Sequence, residues 1–142
     1  MKVEKKAVRS GILKLEKNVQ ITLDEDMNVP DTRPDVEKII ESRGEVHIDE
    51  IEVLTDRLRL RGNFLVQILY LSTDPEQQIS CMEHDFAIEE FMNVEGAESS
   101  DIAKVTADLE DLTISIINSR KCGVRSVIYF HIAISEMKFV EC

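Results

Sequence analysis

A short stretch of the sequence holds residue types that bind metal ions. In the run CMEH, Cys81 and His84 are three positions apart, a spacing that suggests a ligand pair. The surrounding residues alternate between apolar and polar as in a strand, where positions three apart point to opposite faces. His47 and His131 fall in two other predicted strands, where partly buried or cross-strand histidines are expected. We therefore predict no metal site.

Catalytic motifs are equally scarce. The acidic runs at residues 24–26 and 89–90 lack the glycine and the ligand spacing of a calcium-binding loop. Nothing in the local sequence suggests a serine, cysteine or threonine nucleophile beside a base that a third group holds, and no glycine-rich phosphate loop occurs. We predict a protein that is not an enzyme and has no cofactor. The alternative, an active site assembled from residues far apart in the sequence, would need a pocket with convergent acids.

A row of arginines marks one predicted strand. Arg57, Arg59 and Arg61 alternate with leucines, so their three guanidinium groups lie on one face of the strand. Such groups repel each other unless carboxylates stand opposite them. One interpretation pairs them with the acids of the preceding strand, at residues 49–52. The other makes the arginine row an interaction surface for another molecule.

The chain has three cysteines, Cys81, Cys122 and Cys142. An odd number cannot pair completely within one molecule, and no two of them have the spacing of a zinc knuckle. In one interpretation all three are ordinary thiols of a reducing compartment. In the other they are candidates for intermolecular disulfides, with Cys142 in a tail that can reach a neighbouring molecule.

The net charge restricts the class of partner. The chain has 28 acidic and 17 basic residues, for a net charge of −11. Such a surface repels phosphate backbones and anionic lipid headgroups. No segment resembles a signal peptide, and the longest apolar runs, such as VIYF at residues 127–130, are too short to span a bilayer. We predict a soluble protein, made in the cytosol, that binds neither nucleic acid nor membranes.

From residue 45 onward apolar and polar residues alternate, which is the pattern of half-buried strands. The predicted inward-facing residues of the two clearest strands are Leu58, Leu60, Phe64, Val66, Ile68 and Tyr70, and Val124, Ile128, Phe130, Ile132 and Ile134. Asp49 and Gly62 mark expected irregularities. Polar loops separate the strands. The sequence therefore predicts a mainly β fold, either an antiparallel β-sandwich or a strongly bent sheet.

One short helix is expected ahead of these strands, in the stretch VPDTRPDVEKII. Pro30 and Pro34 favour extended backbone before them. Pro34 also suits the first position of a helix, and the acids that follow favour its N-terminus. The apolar residues at helical spacing are Val36, Ile39 and Ile40. We predict a helix near residues 34–42 that closes one end of the core.

The ends of the chain are assigned separately. The apolar residues within residues 1–17 are spaced in a way that fits either an N-terminal arm or an edge strand, whereas residues 19–23 alternate as a strand does. We divide the chain into an arm or edge strand over residues 1–17, a β domain over residues 18–138 and a C-terminal tail over residues 139–142.

Three stretches follow one another along the chain: VPDTRPDVEKIIESRGEVHIDEIEVLTDRLRLRGNFLVQILYLS, FAIEEFMNVEGA and IINSRKCGVRSVIYFHI. The first combines a proline and aspartate lead, paired isoleucines and a glycine-containing strand that ends in ILY. In order and spacing, these stretches resemble the SPOCS domain, which is found in coat-morphogenesis proteins of endospore-forming bacteria. The resemblance covers about residues 18–136.

The resemblance implies a β-rich interaction domain with no known catalytic role that helps to build the spore envelope. Better-known family members are longer adaptors, which bind the ATPase of the coat's basement layer and often end in a peptidoglycan-binding LysM module. This sequence shows neither a LysM region nor a second SPOCS copy. A single domain lacks separate modules for bridging two structures, so the simple adaptor role becomes the alternative.

The preferred expectation is a self-assembling structural protein. Head-to-tail contacts that do not close into a ring propagate as filaments. An N-terminal arm added as a strand to the next subunit's sheet would make such a contact, and disulfides formed in oxidising surroundings would lock it. We predict a homopolymer, as a filament or layer, made in the mother-cell cytoplasm and deployed on the spore surface, with other spore-coat proteins as further partners.

Overall fold

The computed structural model consists of long strands joined by short connections. It describes the backbone of residues 7–141 and the side chains of residues 11–136. The strands are β1 (Ala7–Asn28), β2 (Val36–Leu54), β3 (Arg57–Ser72), β4 (Ile79–Asn93), β5 (Ile102–Asn118) and β6 (Lys121–Glu141). No helix in this part of the chain is both long and apolar enough to cross a membrane.

The strands form two antiparallel sheets of three strands each. In sheet A the order is β1-β6-β5, and in sheet B it is β2-β3-β4, so β6 and β3 are the central strands. The inward-facing residues of both central strands belong to one buried apolar cluster. The predicted mainly β, antiparallel sandwich is therefore confirmed.

The core follows from strict alternation along the two central strands, where successive side chains point to opposite faces. Every apolar residue that the sequence assigns to the inward faces of β3 and β6 is buried. Phe64 and Phe130 are among the largest fully buried side chains. Burying a side chain of this size contributes about 1.5–3 kcal/mol to stability, so the central strands provide much of the driving force for folding.

The helix predicted near residues 34–42 is wrong, because these residues begin strand β2. Their pairing with β3 shifts register between Val36 and Lys38 and again after Ile39. Each shift adds one residue to β2, so inward-facing positions recur three apart, and this spacing imitates one face of a helix. Val36 is buried and Ile39 packs against the core, but Ile40, also predicted in the core, is 50% exposed.

A third register shift in β2 lies between Ile48 and Glu50. The sequence predicts an irregularity near Asp49, and the structure confirms it. Gly62 of β3 lies opposite Ile48, and a side chain at Gly62 would overlap the carbonyl oxygen of His47. Asp49 and Gly62 therefore belong to the two sides of one bulge.

Residues 29–35, here called the linker, carry the chain from sheet A to sheet B. Both ends of the linker are held at the turn between β5 and β6. The N–H of Val29 donates to the carbonyl oxygen of Arg120 at 2.9 Å, and the N–H of Val36 donates to that of Ser119 at 2.9 Å. Val29 and Val36 are buried. The two prolines of the linker thus belong to a crossover between sheets and not to the start of a helix.

β1 pairs with β6 along its whole length, from Ala7 opposite Glu141 to Asn28 opposite Lys121. The sequence-based expectation has the N-terminal segment adding to the sheet of another subunit. In the structure this segment pairs within its own chain from Ala7 onward. Strand addition to a neighbour therefore requires either that β1 leaves this position or that another sheet edge is used.

Ser126 gives a first testable prediction. Its side chain is buried in the core, and its hydroxyl has no hydrogen-bond partner among the described residues. An unsatisfied buried polar group costs about 1–3 kcal/mol. We expect Ser126→Ala to raise the free energy of unfolding by about 1 kcal/mol, measured by urea denaturation.

Ser72 provides the matched control for that measurement. It is also buried, but its Oγ accepts a hydrogen bond from the N–H of Asp74 at 2.9 Å. Ser72→Ala should therefore lower the free energy of unfolding by about 0.5–1.5 kcal/mol. A loss of stability in Ser126→Ala similar to that in Ser72→Ala would contradict the prediction.

Candidate functional site

The arginine row of β3 lies on the outward face of sheet B, between carboxylates of both neighbouring strands. Arg59 Nε donates to Glu89 Oε1 at 3.2 Å, and Arg59 Nη1 donates to Glu52 Oε2 at 3.5 Å. Arg61 Nη1 donates to Glu50 Oε2 at 3.5 Å. The hydrogen bond with Glu89 raises the pKa of Arg59. Acids of β2 and β4 thus pair with these two guanidinium groups inside the molecule.

The remaining arginine of the row makes an aromatic contact. The guanidinium carbon of Arg57 lies 5.2 Å from the ring centroid of Phe91, a cation–π geometry. Further along the same face, Asn63 donates to both carboxylate oxygens of Asp85 at 2.8 and 2.9 Å. The exposed ion pairs of Arg59 and Arg61 contribute little to stability. An acidic partner that docks here must displace acids already paired with the arginine row.

The other end of this face of sheet B is apolar. Leu69 and Leu71 of β3 are half-buried, and they lie opposite Cys81 and Ile79 of β4. Ile79 is 64% exposed. A shallow cavity of about 160 Å³ adjoins them, lined in part by Leu69, Cys81 and Arg43. Grouped exposed apolar residues are typical of protein contact sites, and we call Leu69, Leu71, Ile79 and Cys81 the apolar patch.

The cysteines differ in access to solvent. Cys81 and Cys122 are both free thiols, with Cys81 exposed and Cys122 fully buried. Burial also raises the pKa of Cys122, which lowers the fraction of its reactive thiolate. Cys122 is therefore removed from the predicted intermolecular disulfide candidates, because its thiol cannot reach another molecule in the folded protein. Cys81 remains a candidate, and Cys142 lies outside the described residues.

The histidines lie on three different strands. His47 is on β2, His84 on β4 and His131 on β6. His84 and Cys81 point to opposite faces of β4, as the alternation of a strand requires. Within the described part of the chain, no group of three or more His, Cys, Asp or Glu side chains is arranged to hold a metal ion.

A contact that sequence reasoning missed centres on Arg120, in the turn between β5 and β6. Arg120 Nη1 donates to the carbonyl oxygen of Arg33 at 2.7 Å and to Asp35 Oδ1 at 3.1 Å. Arg120 Nη2 donates to the carbonyl oxygens of Val29 at 3.2 Å and Pro30 at 2.9 Å. All four acceptors belong to the linker, so this guanidinium group contacts both ends of the crossover, beside the backbone hydrogen bonds of Val29 and Val36 and the one that Tyr70 Oη donates to the carbonyl oxygen of Pro34 at 2.7 Å.

A second missed contact anchors β1 to the loop between β4 and β5. Lys14 is the extra residue of a bulge in β1, and its Nζ donates to Asp101 Oδ2 at 2.9 Å. The side chain of Asp101 is only 2% exposed, and Oδ2 also accepts from the N–H of Glu98 at 2.9 Å. The hydrogen bond with Lys14 lowers the pKa of Asp101 and raises that of Lys14.

Asp101 should make stability depend on pH in the acid range. Its pKa is lower in the folded protein, so its stabilisation is present above the unfolded-state pKa of about 3.9 and is lost as the pH falls through the folded value. Asp101→Asn removes the ion pair but retains an oxygen that accepts from Glu98. We expect this variant to be less stable than the wild type at neutral pH, with a gap that narrows below about pH 4. Urea denaturation at each pH measures the difference in free energy of unfolding between the two proteins. A difference that stays constant down to about pH 2 would contradict the prediction.

Comparison with protein-family models places most of the two-sheet framework in a known family. Residues 35–117 match the model described as SipL, SPOCS domain, and this match covers more than half of the chain. The chain belongs to the SPOCS-domain family. Searches of curated proteins and of solved structures found no match. Membership indicates a sporulation-related role and confirms the resemblance seen in the sequence.

The SPOCS match covers the two sheets unequally. It begins at the last linker residue and includes β2, β3, β4 and nearly all of β5. It therefore contains the whole of sheet B, with the arginine row and the apolar patch. β1, β6 and Arg120 lie outside the matched residues. Sequence beyond the SPOCS match thus supplies one edge strand and the central strand of sheet A, together with the arginine that contacts the linker.

Proposed function

We propose that this SPOCS-domain chain is a non-enzymatic structural protein of the endospore envelope, which assembles with copies of itself by strand addition into a filament or layer. The proposal depends on one observation, which is that both sheets have open edges. Within residues 7–141, each of the four outer strands has a hydrogen-bonded strand on one side only. Unpaired backbone groups on such edges pair readily with another chain.

The four edges differ in how freely a partner can reach them. β2 and β5 pack against each other. They approach so closely that a Cβ at Gly44 of β2 would lie 2.7 Å from Leu109 Cδ2 of β5. β1 and β4 are the outer strands on the remaining edges, and they are 22 and 15 residues long. Long edge strands are the usual sites of intermolecular pairing, so we assign assembly to β1 and β4.

An exposed thiol contributes to the proposed lock. Cys81 lies in the apolar patch on the outward face of sheet B, where contact with a second molecule would bring it close to another chain. Disulfide formation requires a thiol that a second molecule can reach, a condition that exposed Cys81 meets and buried Cys122 does not. We therefore propose Cys81, together with Cys142, as the thiols that lock the assembly in oxidising surroundings.

Size-exclusion chromatography with light scattering and negative-stain electron microscopy, each with and without reductant, test this function. The purified chain should form particles of high mass that become smaller on reduction. Cys81→Ser should weaken the dependence on reductant, whereas Cys122→Ala, which alters a buried thiol, should retain it. A chain that stays monomeric at high concentration under oxidising conditions would contradict the proposal.

A second candidate function, that of an adaptor, is favoured by the apolar patch. In this case the purified chain should stay monomeric until the ATPase of the coat's basement layer is added. Ile79→Lys should then abolish binding without unfolding the protein, because the side chain of Ile79 is largely exposed. Ile102→Lys, at another exposed apolar residue but in sheet A, is the matched control and should leave ATPase binding unchanged.

A further inference from the structure

β1 has one neighbour in its sheet. Within residues 7–141 it pairs only with β6, the Nζ groups of Lys14 and Lys17 contact Asp101 and the carbonyl oxygen of Asn93, and the linker connects it to β2. Exchange of an identical element between two copies is a low-cost route to oligomers, since each contact already exists in the single molecule. We infer that β1 is an exchangeable strand, which pairs with β6 of a second copy in the assembled protein, with the linker as the hinge. This inference rests on the proposed self-assembly and adds a second contact to it, between a donated β1 and β6 of the acceptor copy, beside strand addition at the open edges of β1 and β4.

The present pairing defines the acceptor site for a donated β1. The two strands pair antiparallel along the whole of β1, with a single bulge at Lys14. The residues of β1 that pack against or lie within the core are Leu15, Val19, Ile21, Leu23 and Met27. A slip of one residue would turn this set towards solvent. The β1 of a second copy therefore fits in the same register, because it carries the same side chains.

The two prolines of the linker favour an extended backbone between β1 and β2. Pro30 and Pro34 fix their own backbone and disfavour helical backbone at the preceding residues. The linker contains one internal backbone hydrogen bond, from the N–H of Arg33 to the carbonyl oxygen of Pro30 at 2.9 Å. Fully extended, residues 29–35 span roughly 23–25 Å, enough to reach a neighbouring molecule. The compact turn therefore depends on contacts from outside the linker, which include the hydrogen bond from Tyr70 Oη to the carbonyl oxygen of Pro34 at 2.7 Å.

The side chain of Arg120 supplies four of these contacts and joins the two halves of the hinge. Val29 and Pro30, which accept from Nη2, would move with β1 during exchange. Arg33 and Asp35, which accept from Nη1, would stay with β2. The guanidinium group of Arg120 thus resists the separation of β1 from its own β2. Because the closed and exchanged forms share the β1–β6 contacts, loss of this latch favours exchange at high protein concentration.

Disulfide trapping between different chains tests the exchange. Asn18 of β1 lies opposite His131 of β6, with Asn18 Oδ1 2.5 Å from His131 Nδ1. One full-length chain carries Asn18→Cys and the other carries His131→Cys, both with Cys81 and Cys142 replaced by serine. The two chains are unfolded in urea, refolded together at high concentration and oxidised. We expect a disulfide that joins the two different chains.

The strand register provides the matched control. Asp24 lies opposite Arg125, which is roughly 20 Å along β6 from position 131. A mixture of Asp24→Cys and His131→Cys should therefore give several-fold less of the mixed disulfide. The double variant Asn18→Cys/His131→Cys, refolded at low concentration, should close within one chain. If it closes, and the mixture of Asn18→Cys and His131→Cys gives no more product than the Asp24 control, the exchange is wrong.

The latch is tested in the same assay. Arg120→Ala should increase the mixed disulfide several-fold, whereas Arg125→Ala, which removes an exposed arginine from β6, should leave it unchanged. Equal yields from the two variants would overturn the role of Arg120. Electron microscopy of the same samples separates this inference from the proposed function. Polymers without the mixed disulfide contradict the exchange alone, and the absence of both contradicts the exchange and self-assembly together.

Discussion

Replacing Gly62 with alanine is expected to lower the free energy of unfolding by about 3 kcal/mol or more. A Cβ at this position would overlap the carbonyl oxygen of His47. It would also lie 3.0 Å from the carbonyl carbon of His47 and 3.1 Å from Ile48 Cα. All three are backbone atoms, so no rotation of a side chain relieves the overlap. The protein can accommodate the methyl group only if β2 and β3 move apart.

The close approach at Gly62 follows from the bulge on β2. Ile48 faces Gly62 while Glu50 faces Arg61, so Asp49 is an extra residue that bends β2 at this point. Because β3 pairs regularly with β4 on its other side, a shift of β3 away from β2 would disturb that pairing as well. The cost of a single methyl group is therefore distributed over all three strands of sheet B.

Urea denaturation of Gly62→Ala beside Gly123→Ala measures this effect against a matched glycine. Both glycines lie within central strands. At Gly123, the atom nearest to an added Cβ is Ser115 Oγ at 2.7 Å. That hydroxyl can rotate away, so the loss of stability should be much smaller than at Gly62. Equal losses at the two positions would contradict the backbone explanation.

The sequence predicted best those strands whose residues alternate without interruption. β3 and β6 are central strands with one face in the core, and their inward residues are buried as predicted. The start of β2 was mispredicted because two bulges there space its inward residues three apart. Such a spacing cannot be told from a helical face until the pairing with β3 is known. The pairing of β1 with β6 depends on contacts between residues far apart in the sequence.

In the candidate site, likewise, some contacts could be predicted from the sequence and others could not. The interpretation that pairs the arginine row with acids of the preceding strand agrees with the contacts of Glu50 and Glu52, because a tight turn places these strands side by side. No pattern in the sequence indicates the hydrogen bonds between Arg120 and the linker. Three of the four acceptors are backbone carbonyl groups, which any residue type supplies, and they lie 87 to 91 residues away in the chain. Only the crossover of the linker brings them together.

Phe64→Ala is expected to lower the free energy of unfolding by about 3–5 kcal/mol, because it removes a fully buried ring and leaves a cavity. The ring lies against Gly44 of β2. A Cβ at Gly44 would be 2.6 Å from Phe64 Cε1 and 2.7 Å from Leu109 Cδ2. Gly44→Ala should therefore cost about 1–3 kcal/mol by overpacking the core. Gly44 and Phe64 thus form one packing unit between β2 and β3.

This packing unit predicts a measurable coupling. In a Phe64→Leu protein the ring edge that faces Gly44 is gone, so Gly44→Ala should cost less there than in the wild type, by about 0.5–3 kcal/mol. Part of the cost should remain because Leu109 still approaches from β5. Leu58→Ala, at a buried residue roughly 20 Å along β3 from Phe64, is the matched background in which Gly44→Ala should retain its full cost. Urea denaturation of the double-mutant cycles measures both effects. Additive losses in the Phe64→Leu background would contradict the coupling and show that the cost of Gly44→Ala does not come from the ring.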